Sequence, residues 1–455
     1  MHRVVVIVVL ALWAVLLPGA TQASEPSPSP EPVPQEAEPG QPPEQQPTTP
    51  APTSIEVDAP TTVVVDVPFT VTARLTGPDG PLAGRSLLVD GPSHPARSVT
   101  TDAAGELAVP MRQARAGAVT VTVAFAGDAD LAASEVSIRR TAAMQRTTLA
   151  LTAPASVRDG RPLVFSVTGS TSAGRPATGR VTFVITEKAR KKPRRVGATL
   201  VRGKASGRVR VYGSATVVAS VPASSTATAA TSRVRSIRYL PSGSPVRLPG
   251  PKPRIRLKAQ PLATSAGADV RVSRIPNAIW KDMQGKSWRR GCTPRSRLRL
   301  IRVNYYAFDG YRRQGELVVA ANAVPTFRNA LNRLYGKKIP IRAMYRVDRF
   351  GYNATLRGAD DYRSMAADNT SAFNCRGVVG NPSRRSPHST GRSFDINPWE
   401  NPFRSSHGWT PNTYWVGRSH PRVAWRTHRH VVVRTLKAAG FRWTYGANDA
   451  HHFDA

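Results

Sequence analysis

Cysteine is nearly missing from this chain, with 2 among 455 residues. That is too few for a disulfide-stapled miniprotein and too few for a four-thiolate zinc module. Long apolar runs are missing as well. The run from Val4 to Leu17 falls short of the roughly 20 residues a spanning helix needs, which excludes a polytopic membrane protein. Acidic residues are scarce: 29 Asp plus Glu stand against 64 Lys plus Arg, a formal net charge of +35. Such a balance favours polyanionic surroundings, whether nucleic acid, anionic lipid or wall polymers bearing carboxylate and phosphate, and by itself selects none of them.

Proline and glycine are abundant, at 40 and 34 residues, which points to linkers and turn-rich β structure rather than long helices. A chain of this length is expected to hold two to four domains. Residues 1–23 read as a secretory signal peptide. His2 and Arg3 precede the apolar run, Pro18-Gly19 breaks it, and Thr21-Gln22-Ala23 offers small residues for cleavage. An uncleaved N-terminal anchor is the other reading of the same run. Export implies a secreted, extracellular or cell-wall-associated protein with no membrane span after signal cleavage. In an oxidising space Cys292 and Cys375 are then expected to form a disulfide. Residues 24–53 are Pro- and Glu-rich with almost nothing to bury, a disordered linker.

Two modules are expected next, at 54–145 and 146–235. Alternating runs such as Val119-Thr120-Val121-Thr122-Val123, punctuated by Gly, Pro and Asp, have the spacing of β-sandwiches. Ala59-Pro60 recurs as Ala153-Pro154 and Pro68-Phe69 as Pro162-Leu163, each 94 residues later. One domain-length offset means two copies of a module rather than a solenoid. These copies resemble bacterial immunoglobulin-like repeats, a likeness that carries fold and says little of function. The second copy holds a basic stretch, Lys188 to Arg195, read as a solvated hairpin tip or a contact for anionic cell-wall polymers. Basic–aromatic interleaving is absent from the repeats, so nucleic acid is not an expected partner.

Residues 236–262 read as a basic, Pro-rich linker. Beyond it the composition shifts, with seven of eight tryptophans and seven of nine histidines. Val324 to Leu334 is predicted as a helix with Phe327, Ala330, Leu331 and Leu334 on one face, and Val431 to Ala439 as a second. Residues 263–455 are therefore expected to form an α+β domain with a small antiparallel sheet.

Clustered histidines beside carboxylates suit a zinc site or an acid–base site. A hydrolytic zinc needs three protein ligands, an open position and a separate carboxylate to take a proton from water. His388 and Asp395 supply two ligands if a turn at Gly391 leads into a strand near Phe394. His452 supplies a third, and Asp449 the proton acceptor.

The segments Ser386-Pro387-His388-Ser389-Thr390-Gly391-Arg392-Ser393-Phe394-Asp395 and Asp449-Ala450-His451-His452 resemble the zinc D-alanyl-D-alanine carboxypeptidase and L-alanyl-D-glutamate endopeptidase family, which cuts peptidoglycan peptides. Ser393 stands where that family usually has Ala, and His451 where it often has Met, so adjacent histidines compete for one ligand role. The resemblance implies a secreted Zn2+ peptidase acting on peptidoglycan stem peptides, of the carboxypeptidase type in preference to the endopeptidase. It also implies that Arg363, in Asp361-Tyr362-Arg363-Ser364, steadies the substrate carbonyl or oxyanion, with Arg376 as the competing candidate. A non-catalytic wall-binding or adhesive scaffold is the alternative. The helical His-Glu-x-x-His motif, the Gly-x-Ser-x-Gly elbow and the phosphate-cradling loop are all absent.

Overall fold

The computed structural model describes residues 49–92, 94–188 and 190–455. The expected signal peptide and nearly all of the acidic linker lie outside them. The described chain is mostly β, in several separate sheets. Among the described residues no helix is long and apolar enough to cross a membrane.

Alternation drives the first half of the fold. In strand Pro68–Gly77, Val71, Ala73 and Leu75 point inward, and Thr72 and Arg74 outward, as the two-residue period of a strand requires. This strand joins Ser54–Asp58, Gly80–Pro81 and Glu106–Arg112 in a four-stranded sheet. A five-stranded sheet, ordered Thr62–Val64, Ser134–Ala143, Gly117–Phe125, Ser86–Gly91, His94–Thr100, contributes to the same core around Val65, Leu75, Leu87 and Val121.

The pattern repeats 94 residues on. Strand Pro162–Thr171 buries Leu163, Phe165 and Val167, and pairs with Thr147–Thr152 and Lys204–Arg210 in a three-stranded sheet. A six-stranded sheet built on Arg180–Glu187 and Ala215–Val221 shares its core, where the rings of Phe165 and Phe183 lie 4.7 Å apart.

Residues 236–262 do not form a free linker. Strand Arg235–Leu240 pairs with Ser156–Arg158 and Ala215–Val221, burying Ile237 and Tyr239. The alternating apolar residues are enough for a strand, although Arg and Pro dominate the composition around them. Beyond it, residues 241–262 run as a strap over the C-terminal domain. Val246 N donates to Phe308 O at 2.7 Å and Ile255 N to Ala366 O at 3.2 Å. Buried Gln260 donates to Met344 O at 2.9 Å and accepts from the Tyr305 hydroxyl at 2.7 Å. An extended, proline-rich chain leaves its backbone groups unpaired within itself, and here the neighbouring domain partners them.

One ion pair fastens this junction. Arg312 grips Asp159 through two hydrogen bonds of 2.5 and 2.6 Å, with both side chains buried. Burial works to raise the Asp159 carboxyl, but the Arg312 guanidinium overrides it and holds the group below its ordinary value.

The C-terminal domain centres on a three-stranded antiparallel sheet, Arg271–Ser273, Leu298–Tyr306 and Arg312–Ala320. Helix Val324–Gly336 packs on it through Phe327, Ala330, Leu331 and Leu334, the expected face, and continues two residues past the expected end. The second helix, Val431–Lys437, stops two residues short of expectation. Their shared core includes Phe394 and Phe453, from the short antiparallel pair Ser393–Asp395 and His452–Asp454.

Replacing Asp159 by Ala leaves Arg312 buried without a counter-charge, a loss of about 3–5 kcal/mol. The variant is expected to be cut within residues 241–262 by a protease that spares the wild type, as limited proteolysis with mass analysis reads out. Because the folded pKa is depressed, the pair contributes fully above the free-carboxylate range. That contribution is lost as pH falls through the lower folded value, so wild type should acquire the same sensitivity below about pH 4.

Candidate metal centre and catalytic cleft

Local geometry explains how distant residues meet. Ser386 Oγ accepts from the His388 backbone N–H at 3.3 Å and starts a single tight turn, Pro387–Thr390. Gly391 then takes a left-handed φ of 77°, and a Cβ there would sit 2.7 Å from the Ala320 backbone nitrogen. Only glycine fits both demands. The chain reverses into Ser393–Asp395, whose register with the last strand sets Asp395 directly opposite His452.

His388, Asp395 and His452 each offer one ligand atom, all within 4.8 Å of one another. Each residue is only 3% exposed, so little water hydrates the charge gathered there. The outer ring nitrogens fix the tautomers. His388 Nδ1 lies 2.5 Å from Ala372 O, a carbonyl that can only accept, so that nitrogen carries the proton. His452 Nε2 donates to Asp454 Oδ1 at 3.0 Å. The inner nitrogens, His388 Nε2 and His452 Nδ1, are thereby the ones turned inward, 3.1 Å apart and each 3.0 Å from an Asp395 oxygen, and a neutral ring presents its lone pair there.

With both rings neutral, two lone pairs and a carboxylate converge on one point and repel one another unless a cation or a proton lies between them. With no cation between them, the field of the cluster favours a proton on His452. Burial works to raise the Asp395 carboxyl, but His388 and His451, with hydrogen bonds from His388 and His452, hold it well below the usual range. Burial opposes a charged His452, yet Asp395 and Asp454 push that imidazole well above its ordinary value. The donor set of two imidazoles and one carboxylate fits a divalent cation with borderline-soft character.

Asp449 borders the same cavity, which has a volume of 400 Å³. Its Oδ1 is buried without a hydrogen-bond partner. Burial raises its carboxyl above the ordinary value, with His451 and His452 pulling the other way. His451 sits nearer to Asp449 than to the ligands: its Nε2 lies 3.3 Å from Asp449 Oδ1 and 3.7 Å from Asp395 Oδ2, and its Nδ1 lies 2.6 Å from Asn401 O. Of the two adjacent histidines, His452 is therefore the one that joins the cluster.

Arg363 requires a correction. Its side chain is exposed on helix Asp361–Ala366 and borders a different groove, with Lys252 and Trp409. Arg376 lines the cleft instead. It is buried, donates to Asp361 Oδ2 at 2.6 Å and to Gly377 O at 2.9 Å, and keeps its Nε–H unpartnered. A disulfide joins Cys292 to Cys375, the residue just before Arg376, with Cα atoms 6.1 Å apart.

Two supporting residues escaped the sequence reading. Asp454 accepts from His452, from Ser393 Oγ at 2.6 Å and from Thr444 Oγ1 at 2.7 Å. Positions 452 and 454 share one face of a strand, so His-x-Asp in a strand was the available signal. Ser393, at the position where Ala is usual, orients Asp454 rather than merely filling space. Ala372 contributes only its backbone carbonyl, for which side-chain identity gives no signal.

Residues 380–455 match a family model described as D-alanyl-D-alanine carboxypeptidase. No curated relative matches the chain. Among solved structures, the chain is similar to a C-terminal intimin fragment in complex with the translocated intimin receptor's binding domain. That match has 14% identity and a TM-score of 0.20, over 39% of this chain and 62% of the fragment, so this chain spans less than two thirds of it. Invasin, a bacterial integrin-binding protein, matches at 14% identity over 57% of this chain and 48% of its own, with a TM-score of 0.27. The fibronectin(III)-like modules of Clostridium thermocellum CbhA match at 15% identity over 41% of this chain and 93% of theirs, with a TM-score of 0.17. The matched family segment contains His388, Asp395, Asp449 and His452 together, and the peptidoglycan-peptidase family that their spacing resembles is the one to which residues 380–455 are matched.

Proposed function

We propose that the chain is a secreted, wall-associated zinc peptidase that hydrolyses amide bonds in peptidoglycan stem peptides, as a D-alanyl-D-alanine carboxypeptidase in preference to an endopeptidase. In this reading two immunoglobulin-like modules (54–145 and 146–240) hold the catalytic domain at the wall. The observation that carries it is the pair of inner imidazole nitrogens, fixed in their tautomers and facing Asp395 in a cavity that also holds Asp449.

His388, Asp395 and His452 would hold the zinc, with Asp454 and the Ala372 carbonyl orienting the two imidazoles. When bound, zinc supplies a Lewis acid that acidifies water and polarises a carbonyl oxygen. Asp449 takes the proton of the attacking water at its unpartnered Oδ1. As the carbon–nitrogen bond breaks, Asp449 returns that proton to the departing amine. Arg376 sets a fixed positive charge where the oxyanion develops, its own position held by Asp361 and by the disulfide at the preceding residue.

A scaffold without turnover is the competing reading, since adhesive proteins share the β-rich modules. The complete ligand set and the unpartnered Asp449 oxygen support the enzyme. Zinc bound stoichiometrically with no product from any defined stem peptide would select the scaffold.

Digestion of defined stem peptides with mass analysis tests the roles. Asp449→Ala should retain its zinc and lose about 10²–10⁴ in kcat. An active, zinc-loaded Asp449→Ala enzyme removes that residue from the mechanism. Arg376→Ala should lose about 10²–10³ in kcat, whereas Arg363→Ala should cleave a short free stem peptide within about twofold of wild type. The reverse ranking would restore Arg363 to the cleft.

A further inference from the structure

Helix Asp361–Ala366 is a wall shared by two grooves. Asp361 and Met365, four positions apart, line the catalytic cleft, while Tyr362, Arg363 and Ala366 line an open groove of 650 Å³ on the other side. The hairpin Phe403–Ser405/Gly408–Thr410 is divided in the same way, with Phe403 and Arg404 on the cleft and Trp409 and Thr410 on the groove. The strap closes the third side with Lys252 and Arg254, held in place by the Ile255 N–H on Ala366 O.

The chemistry of this groove is one-sided. Lys252, Arg254 and Arg363 line it, no Asp or Glu does, and all three cations are exposed. Among the described residues none of the three enters an ion pair. Tyr362 presents its ring 37% exposed and Trp409 is half-buried. Ring faces beside unpaired cations suit a ligand with flat C–H surfaces and regularly spaced carboxylates, which is the chemistry of an acidic saccharide chain.

We propose that this groove is a saccharide subsite that holds the glycan strand of peptidoglycan, with sugar rings against Tyr362 and Trp409, and with Arg363, Lys252 and Arg254 taking stem-peptide carboxylates or the lactyl carboxylates left free wherever a neighbouring stem has been removed. The choice of this glycan rests on the peptidoglycan reading above. The spacing is compatible: an extended peptide advances about 3.3–3.6 Å per residue. A stem of about four residues thus reaches across the roughly 10–12 Å width of the helix that separates groove from cleft. The groove accounts for an arginine that the catalytic chemistry does not use and for two of the strap's basic residues, Lys252 and Arg254.

Calorimetric titration of the whole folded chain tests it, with three probes: glycan strands stripped of peptides, a chitin oligosaccharide of equal length without lactyl carboxylates, and a single-stranded oligonucleotide. The stripped strand should bind at least about tenfold tighter than the chitin oligomer. Lys252→Ser/Arg254→Ser and, separately, Trp409→Ala should each weaken it about tenfold, with the double variant still cleaving a short free stem peptide at the wild-type rate. Equal binding of the two saccharides, unchanged binding in both variants, or tighter binding of the oligonucleotide each overturns the proposal. A chain that binds the strand as stated but cleaves no peptide refutes the peptidase reading and leaves the groove standing; one that cleaves without binding does the opposite.

Discussion

Two imidazoles made to face each other are the constraint around which the C-terminal domain is arranged. The Ala372 carbonyl and Asp454 each occupy the outer nitrogen of one ring, so both inner nitrogens turn toward Asp395. In so buried a cluster only a cation or a bound proton relieves that convergence. The surrounding structure over-determines it. The left-handed Gly391 returns the chain, the strand register sets Asp395 opposite His452, and Phe394 and Phe453 anchor both strands in the main core. The site is preorganised by backbone pairing and packing, at the junction where the last strand of the chain joins the domain.

Much of this was legible in the sequence because it is local. The spacing from Ser386 to Asp395 encodes a capped turn, a glycine reversal and a strand, each with its own signature, and the faces of helix Val324–Gly336 follow from a 3.6-residue period. Arg363 was misassigned for a physical reason. Its helix has six residues, too short to display a period, so the sequence does not say which side faces the cleft. Arg376 sits in an irregular segment, where the neighbouring disulfide, the ion pair with Asp361 and a hydrogen bond to Gly377 O aim it.

The strap shows a different limit. Composition reports what side chains can bury, and residues 241–262 bury little of their own. What holds them is backbone hydrogen bonding to another domain, together with buried Gln260, and backbone groups are the same in every sequence. Its basic residues consequently read as a solvated connector, whereas the structure sets two of them, Lys252 and Arg254, along a groove beside the cleft. With the Asp159–Arg312 pair, the strap ties the second module to the C-terminal domain, so module and cleft have a defined relation.

X-ray absorption at the zinc edge, on chain purified without chelator, tests the central claim most directly. The account predicts one zinc per chain, with two imidazole nitrogens and carboxylate or water oxygen at about 2.0–2.2 Å, and loss of the nitrogen shell when His388 and His452 are both replaced. A chain that binds no zinc, or one whose zinc keeps its imidazole shell after those replacements, would contradict it.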